Sequence, residues 1–265
     1  MDMIRRFHTK SGIAYAEQGA GEPLVLIHGV GMRLEAWAPQ MAALGRSHRV
    51  IAVDMPGHGE SRALPENAGL DAFVAWLGLF LDDLELDRAN LAGHSMGALI
   101  AGGAAATFGS RVSRVALLNA VYRRDAAASA AVIDRAREIR AGQVDVDGPL
   151  LRWFGADSRE SSAYRLTHRW LSSVDRGGYA TAYAAFAAGD SAYADCWPDV
   201  GCPALFLTGT DDPNSTPAMA QAMAYAAPNG YAVLIDGHRH MVNLTAPDEV
   251  NAILSEWLEK PEEKR

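Results

Sequence analysis

Cysteine is scarce in this chain: its 265 residues include only Cys196 and Cys202. Two thiols are too few for a disulfide framework, and with no His or Cys companions at ligand spacing they form no zinc site. No run of Lys and Arg marks a nucleic-acid or membrane-surface patch, and a formal net charge of −8 disfavours both polyanions. No segment stays apolar for the length of a membrane span, and Arg5 and Arg6 are not followed by the apolar stretch of a signal peptide. Internal repeats are lacking too, which excludes a solenoid. These absences predict a cytoplasmic chain, monomer or homodimer, that acts on a small molecule. Nucleic acid, membrane, metal and organic cofactor are not expected.

What is present is enough hydrophobic material, 49% of residues, for one large core. Short apolar or β-branched runs alternate with longer segments of helical period, the pattern of a mostly parallel, doubly wound α/β sheet with helices on both faces. Met3–His8 and Ile13–Glu17 flank a turn-like Thr9–Gly12 and predict an antiparallel hairpin. Leu24–His28, Val50–Asp54, Ala89–Gly93, Val115–Asn119, Ala204–Thr208 and Ala232–Asp236 are the other predicted strands. The rhythm breaks between Asn119 and Ala204, where no convincing strand occurs. Residues 122–197 therefore read as a helical cap inserted into a core made of 1–121 and 198–265. An insertion at the carboxyl end of a strand lies over the crevice where ligands bind in such sheets, so it is a candidate lid. The Ala-rich runs 126–131 and 182–188 are expected to be packed helix surfaces.

The strongest chemical signal is Gly93-His94-Ser95-Met96-Gly97, set where an apolar strand ends and a small-residue helix begins. A serine on so sharp a strand-to-helix turn is strained, and the flanking glycines let strand and helix pass closely. Its hydroxyl is a poor nucleophile at neutral pH and needs a histidine base oriented by a carboxylate. Two histidines, His238 and His240, follow the last predicted strand. His28, His58 and His94 sit in tight turns or at the elbow, and His8, His48 and His168 lie elsewhere; each has a structural reading. For the acid, the loop Gly209-Thr210-Asp211-Asp212-Pro213 offers adjacent carboxylates, and the Gly-x-x-Asp spacing selects Asp212. Asn119, at the end of an earlier strand, is an amide and cannot stabilise an imidazolium as a carboxylate does. Donors for a developing oxyanion are assigned to the backbone N–H groups of Met96 and of Val30, in the loop His28-Gly29-Val30-Gly31.

These blocks, together with Asp54-Met55-Pro56-Gly57-His58-Gly59-Glu60-Ser61, resemble the α/β-hydrolase superfamily over almost the whole chain apart from the insertion. The resemblance implies the α/β-hydrolase fold and selects His240 over His238, because Gly237-x-x-His240 has the superfamily spacing. Within the superfamily, the short oxyanion loop, the cap of this size and His240-Met241-Val242-Asn243 are similar to small bacterial esterases, lactonases and enol-lactone hydrolases. The implied reaction is cleavage of a carboxylic ester or lactone through an acyl-serine. Carbon–carbon hydrolases of ring-cleavage products are the runner-up, although they often carry Trp where this chain has Met241. A non-catalytic binding or receptor protein on the same scaffold is the alternative of another class. Thr245 replaces a Glu common in the family, and Ser95 stands where dehalogenases and epoxide hydrolases have Asp.

For substrate contacts the insertion offers Tyr122, Trp153, Phe154, Tyr164, Trp170, Tyr179, Tyr183 and Phe186, of which roughly a third are expected to face a pocket. Trp153 and Tyr183 are the named candidates. Arg123 and Arg124, just past a strand end, are candidates to meet a substrate carboxylate.

Overall fold

A computed structural model describes residues 4–261; Met3 of the predicted first strand and residues 262–265 lie outside the described residues. The chain opens with strands β1 (Phe7–His8), β2 (Ala14–Gln18) and β3 (Pro23–Ile27), helix α1 (Ala38–Leu44), β4 (Arg49–Val53) and α2 (Leu70–Asp83). There follow β5 (Ala89–His94), α3 (Met96–Phe108) and β6 (Val112–Leu118). Four helices come next, α4 (Ala126–Arg140), α5 (Asp147–Phe154), α6 (Ser162–Ser172) and α7 (Arg176–Gly189). The chain ends with β7 (Ala204–Gly209), α8 (Pro217–Ala226), β8 (Gly230–Ile235), the short α9 (Val242–Thr245) and α10 (Pro247–Glu259).

The strands form one sheet in the order β1-β2-β4-β3-β5-β6-β7-β8. Only β1 and β2 run antiparallel to their neighbours; every pairing from β4 to β8 is parallel. All eight strands fall where the sequence predicts them, with the first shortened to Phe7–His8. The central strands are buried on both faces, which is why they read as unbroken apolar runs.

Side-chain alternation divides these runs between two cores. Leu24 and Leu26 of β3, Val50 and Ala52 of β4, and Ala116 and Leu118 of β6 pack with Trp37 and Met41 near α1 and with Leu254 and Trp257 of α10. Val25, Ile27, Ile51, Val53, Val115 and Leu117 face the other way, against Phe73 and Phe80 of α2 and the Ala-rich α3. Small residues let α3 lie buried between the sheet and α2. Deleting a large side chain such as Trp257, which is fully buried, would cost about 3–5 kcal/mol.

The chain passes from β3 to β4 on one side and then crosses back to β5 on the other, so the order reverses beside β3. Loops leaving the carboxyl ends of β3 and β5 are thereby adjacent, at the point where such sheets form a ligand crevice. Helices α4 to α7 all lie between β6 and β7. Asp125, Ser161 and Asp175 cap α4, α6 and α7 by accepting the backbone N–H three residues on, each cap contributing about 1 kcal/mol. The Ala run of α7 packs as expected. That of α4 does not: residues 126–131 are exposed or half-buried, and Ala128 and Ala131 border a cavity.

Among the described residues, no helix is long and apolar enough to cross a membrane. No group of three His, Cys, Asp or Glu among them is placed to hold a metal ion.

Candidate active site

Ser95 sits between the last residue of β5 and the first of α3 with φ 55° and ψ −114°, a region that L-residues rarely enter. Its N–H donates to the Leu118 carbonyl at 2.9 Å and its own carbonyl accepts from Ala98, so the strain is held from both sides. A Cβ on Gly93 would overlap the Gly97 carbonyl, and one on Gly97 would overlap the Ile27 carbonyl. Glycine is required at both places because strand, turn and helix backbones touch there.

Three side chains remote in sequence then align. Ser95 Oγ lies 3.1 Å from His240 Nε2, and His240 Nδ1 lies 2.7 Å from Asp212 Oδ2. All three residues are buried. Asp212 accepts two further bonds, from Asn214 N–H at 2.8 Å on Oδ1 and from Asn119 Nδ2 at 2.9 Å on Oδ2. Burial alone would raise the Asp212 carboxyl; the His240 ring beside it, with these donors, outweighs burial and holds it below the ordinary carboxylate range. The carboxylate form fixes the Nδ1–H tautomer of His240, leaving Nε2 free to accept the serine proton. Asp211, by contrast, is exposed, and its backbone N–H donates to the His238 carbonyl. His238 turns away, its Nδ1 2.9 Å from the Thr245 hydroxyl. Thr245 thus has a partner of its own, in the place where the family often has Glu.

The mounting of His240 comes from both halves of the structure. Its carbonyl accepts from His94 Nε2 at 2.7 Å, and its N–H donates to the carbonyl of Trp153 at 3.2 Å. The Trp153 ring also stacks on the imidazole, with centroids 5.9 Å apart and planes inclined by 27°. Sequence reasoning missed the role of Asn119, which donates to Asp212, Thr208 Oγ1 and the Arg239 carbonyl. Its position at a strand end beside the acid loop was the available signal.

The loop after β3 is positioned by two buried neutral histidines. His28 Nε2 accepts the N–H of Met55, and His58 Nε2 accepts the N–H of Gly31, each at 2.9 Å. Their Nδ1 atoms lie 2.8 Å from the Gly29 carbonyl and 3.0 Å from the Pro56 carbonyl, which sets both as Nδ1–H tautomers. Burial lowers His58 to about 4, and it lowers His28 as well. Asp54 completes the scaffold, accepting from Leu34 N–H, Glu60 N–H and Arg6 Nε. Burial raises its carboxyl despite these donors. Within the loop, the Val30 N–H makes no backbone hydrogen bond among the described residues. Met96, as first residue of α3, has no carbonyl one turn earlier within its helix for its N–H.

Ser95, His240 and Val30 open onto a cavity of about 440 Å³ bounded by α4, α5, α7 and the loop before α8. Trp153, Tyr183 and Phe186 line it, three of the eight aromatics considered from sequence, whereas Tyr164, Trp170 and Tyr179 are buried in helix packing. Arg124 lines it too. Arg123 does not, contrary to expectation: its φ of 46° turns the side chain outward, where it pairs with Asp195 and lies over the Tyr122 ring. Arg135 and Arg152, which the sequence did not single out, are on the cavity wall instead.

A mostly parallel sheet with a serine elbow after β5, a carboxylate in the loop after β7 and a histidine in the loop after β8 defines the class. The sequence profile of the Alpha/beta hydrolase family matches residues 24–253, and the chain belongs to that family; it is an enzyme of the hydrolase type. Among individual proteins, it is 53% identical over 245 residues to the (E)-2-((N-methylformamido)methylene)succinate hydrolase of Acinetobacter baylyi, covering 92% of this chain and 93% of that one. Among solved structures it is similar to the enol-lactonase of Burkholderia xenovorans, with TM-score 0.85, 28% identity and coverage of 97% and 100%. A thermophilic esterase of Thermogutta terrifontis superposes with TM-score 0.86 at 25% identity, covering 96% of this chain and 98% of the esterase.

Proposed function

We propose that this chain is a serine hydrolase that cleaves an acyl carbonyl of a small molecule, with Ser95 as nucleophile, His240 as general base and Asp212 as the acid that orients it. The observation that supports this most directly is the hydrogen-bonded series Ser95–His240–Asp212, with Ser95 and His240 both on the wall of one cavity. His240 Nε2 takes the Ser95 proton as Oγ attacks the carbonyl carbon. The oxyanion that forms is held by the N–H groups of Val30 and Met96, each worth about 3 kcal/mol in the transition state. His240 then returns the proton to the leaving group, and water cleaves the acyl-serine by the same relay. The helices of residues 122–197 act as the cap that closes the cavity and excludes water.

The Acinetobacter relative moves the reading of the bond from an ester towards a formamide. In the compound of its name, an N-formyl nitrogen is joined to an alkene that carries one carboxylate directly and a second through a methylene. Conjugation draws the nitrogen lone pair into that alkene, so the nitrogen leaves more readily than in an ordinary amide. A formyl carbon is also the least hindered of acyl centres. Attack by Ser95 would give a formyl-serine and release the enamine nitrogen with the proton from His240; water would release formate. Ester or lactone cleavage is the second reading, supported by the similarity to the enol-lactonase and the esterase.

The test is a serine-directed fluorophosphonate followed by peptide mass spectrometry, with formate release from the N-methylformamido compound measured alongside hydrolysis of simple esters and lactones. Labelling of Ser95 in wild type, absent in Ser95→Ala, is expected. Folded wild-type protein that takes no label would move the chain to the binding-protein class. Ester turnover without formate release would select the second reading.

A further inference from the structure

The wall of the active-site cavity carries three guanidinium groups, those of Arg124, Arg135 and Arg152, and one carboxylate residue, Asp125. Asp125 is already occupied as the N-cap of α4, its Oδ1 2.7 Å from the Ala128 nitrogen. So much positive charge on an otherwise apolar wall is unusual for a pocket that would only have to hold a neutral ester.

The three arginines differ in how far they are already satisfied. Arg124 is packed away, with 4% of its side chain exposed, against the face of Phe186 at 4.4 Å. Its partners are loose: Nη1 is 3.5 Å from both Asp190 Oδ1 and the Phe186 carbonyl, and Nη2 has none. Arg135 pairs with Asp145 at 3.2 Å and with Glu138 at 3.4 Å, both partly exposed. Arg152 has no carboxylate within ion-pair distance among the described residues. Arg135 and Arg152 lie on α4 and α5 and both help to hold the Asp145 carboxyl low, whereas Arg124 packs against Asp190 and Phe186. Tyr183, itself lining the cavity, feels the charge of all three.

We propose that this cavity is built for a dianionic substrate, a small dicarboxylate, with one carboxylate on Arg135 and Arg152 and the other on Arg124. This rests on the reading of the same cavity as the hydrolase site and adds what selects the substrate. Guanidinium forks match carboxylates bidentately, and two such sites on the wall of one cavity fix both the position and the rotation of a short dicarboxylate. The carbonyl to be attacked is then presented to Ser95 by charges that take no part in the chemistry, so binding energy far from the reacting atoms is used to orient them. An uncharged ester gains nothing from these guanidinium groups, so it enters the same cavity but binds more weakly than a dicarboxylate.

Binding of succinate, compared with its neutral isostere succinamide, tests this without requiring turnover. Thermal shift and competition against hydrolysis of a p-nitrophenyl ester both give the affinity. Wild type is expected to bind succinate and to discriminate against succinamide, and Arg152→Gln, a change at an exposed side chain, to weaken succinate about 10- to 100-fold. Arg124→Gln is best made together with Asp190→Asn, so that no carboxylate is left buried and unpaired; it is expected to weaken succinate by a similar factor. Equal affinity for succinate and succinamide, or an Arg152→Gln variant that binds succinate as wild type does, would overturn the proposal. Labelling of Ser95 in protein that ignores succinate would sink the dicarboxylate site alone, whereas tight succinate binding in protein that is never labelled would sink the hydrolase reading alone.

Discussion

Lowering the pH from 7 to 5 is expected to destabilise the fold by about 4 kcal/mol from two buried histidines, with a third acting in the same direction, a large part of the 5–15 kcal/mol that holds a typical domain together. The cause is three fully buried histidines that the native state keeps neutral, His28, His58 and His94. Burial is the main reason in each case, and it brings His58 to about 4 and His94 to about 3, with His28 well below its ordinary value. In the unfolded chain each titrates near 6.5. Between pH 7 and 5 the unfolded state therefore takes up protons that the native state refuses; His58 and His94 each remove about 2 kcal/mol over that interval, and His28 acts in the same direction. Stability falls as pH falls, until the folded-state values near 4 and 3 are reached. Asp54, raised by burial, acts in the opposite sense, but it is one group against three. The structural reason for refusal is specific: protonated His28 or His58 would lose the lone pair that accepts Met55 N–H or Gly31 N–H. Urea melts followed by tryptophan fluorescence at pH 7 and 5 measure the difference. His58→Gln, which keeps an acceptor but cannot titrate, should reduce the pH dependence by about 2 kcal/mol. A urea midpoint that is the same at both pH values would refute the reasoning.

Two further outcomes bear on the catalytic relay. Asp212→Asn should lower kcat by about four orders of magnitude by destroying the tautomer preference of His240, while Asp211→Asn, at an exposed side chain, should leave steady-state kinetics close to wild type; equal losses would leave the acid unassigned. Asn119→Ala, which removes a donor to the Asp212 carboxylate, should lower kcat about tenfold with little change in KM, and a change confined to KM would show that Asn119 does not act through Asp212.

The strands were legible because each is a short run buried on both faces, and such runs stand out against amphipathic helices. The elbow was legible for a related reason: its glycines are dictated by backbone contact within a few residues. What stayed hidden depends on packing between distant segments. Arg135 and Arg152 lie on α4 and α5, and nothing local tells which face of a polar helix turns towards a cavity. Arg123 and Arg124 looked equivalent as neighbours, yet a single left-handed residue separates them, one to solvent and one to the cavity wall. Asn119 is an amide and reads as a poor acid, a reading that leaves no room for a residue that instead donates to the Asp212 carboxylate. The Ala run of α4 was expected to be packed because Ala favours close helix contact, but composition alone does not distinguish a packed face from the smooth rim of a cavity.

The contact between Trp153 and His240 has a consequence for how such an enzyme can change over time. Helix α5, in the stretch between β6 and β7, gives His240 a carbonyl for its backbone N–H and an aromatic face for its ring. With residues 122–197 as the proposed cap and His240 as the proposed base, specificity and reactivity share one piece of chain. Exchanging residues 122–197 for the equivalent segment of another family member would not simply retune which molecule is admitted; it would remove a support from the imidazole itself. Grafts that carry an aromatic residue with its carbonyl at the place of Trp153 should keep turnover, and grafts without one should bind their new ligand yet react with it slowly. Divergence of substrate range in this lineage is thus expected to proceed by substitution around Trp153, more readily than by wholesale replacement of the helices that carry it.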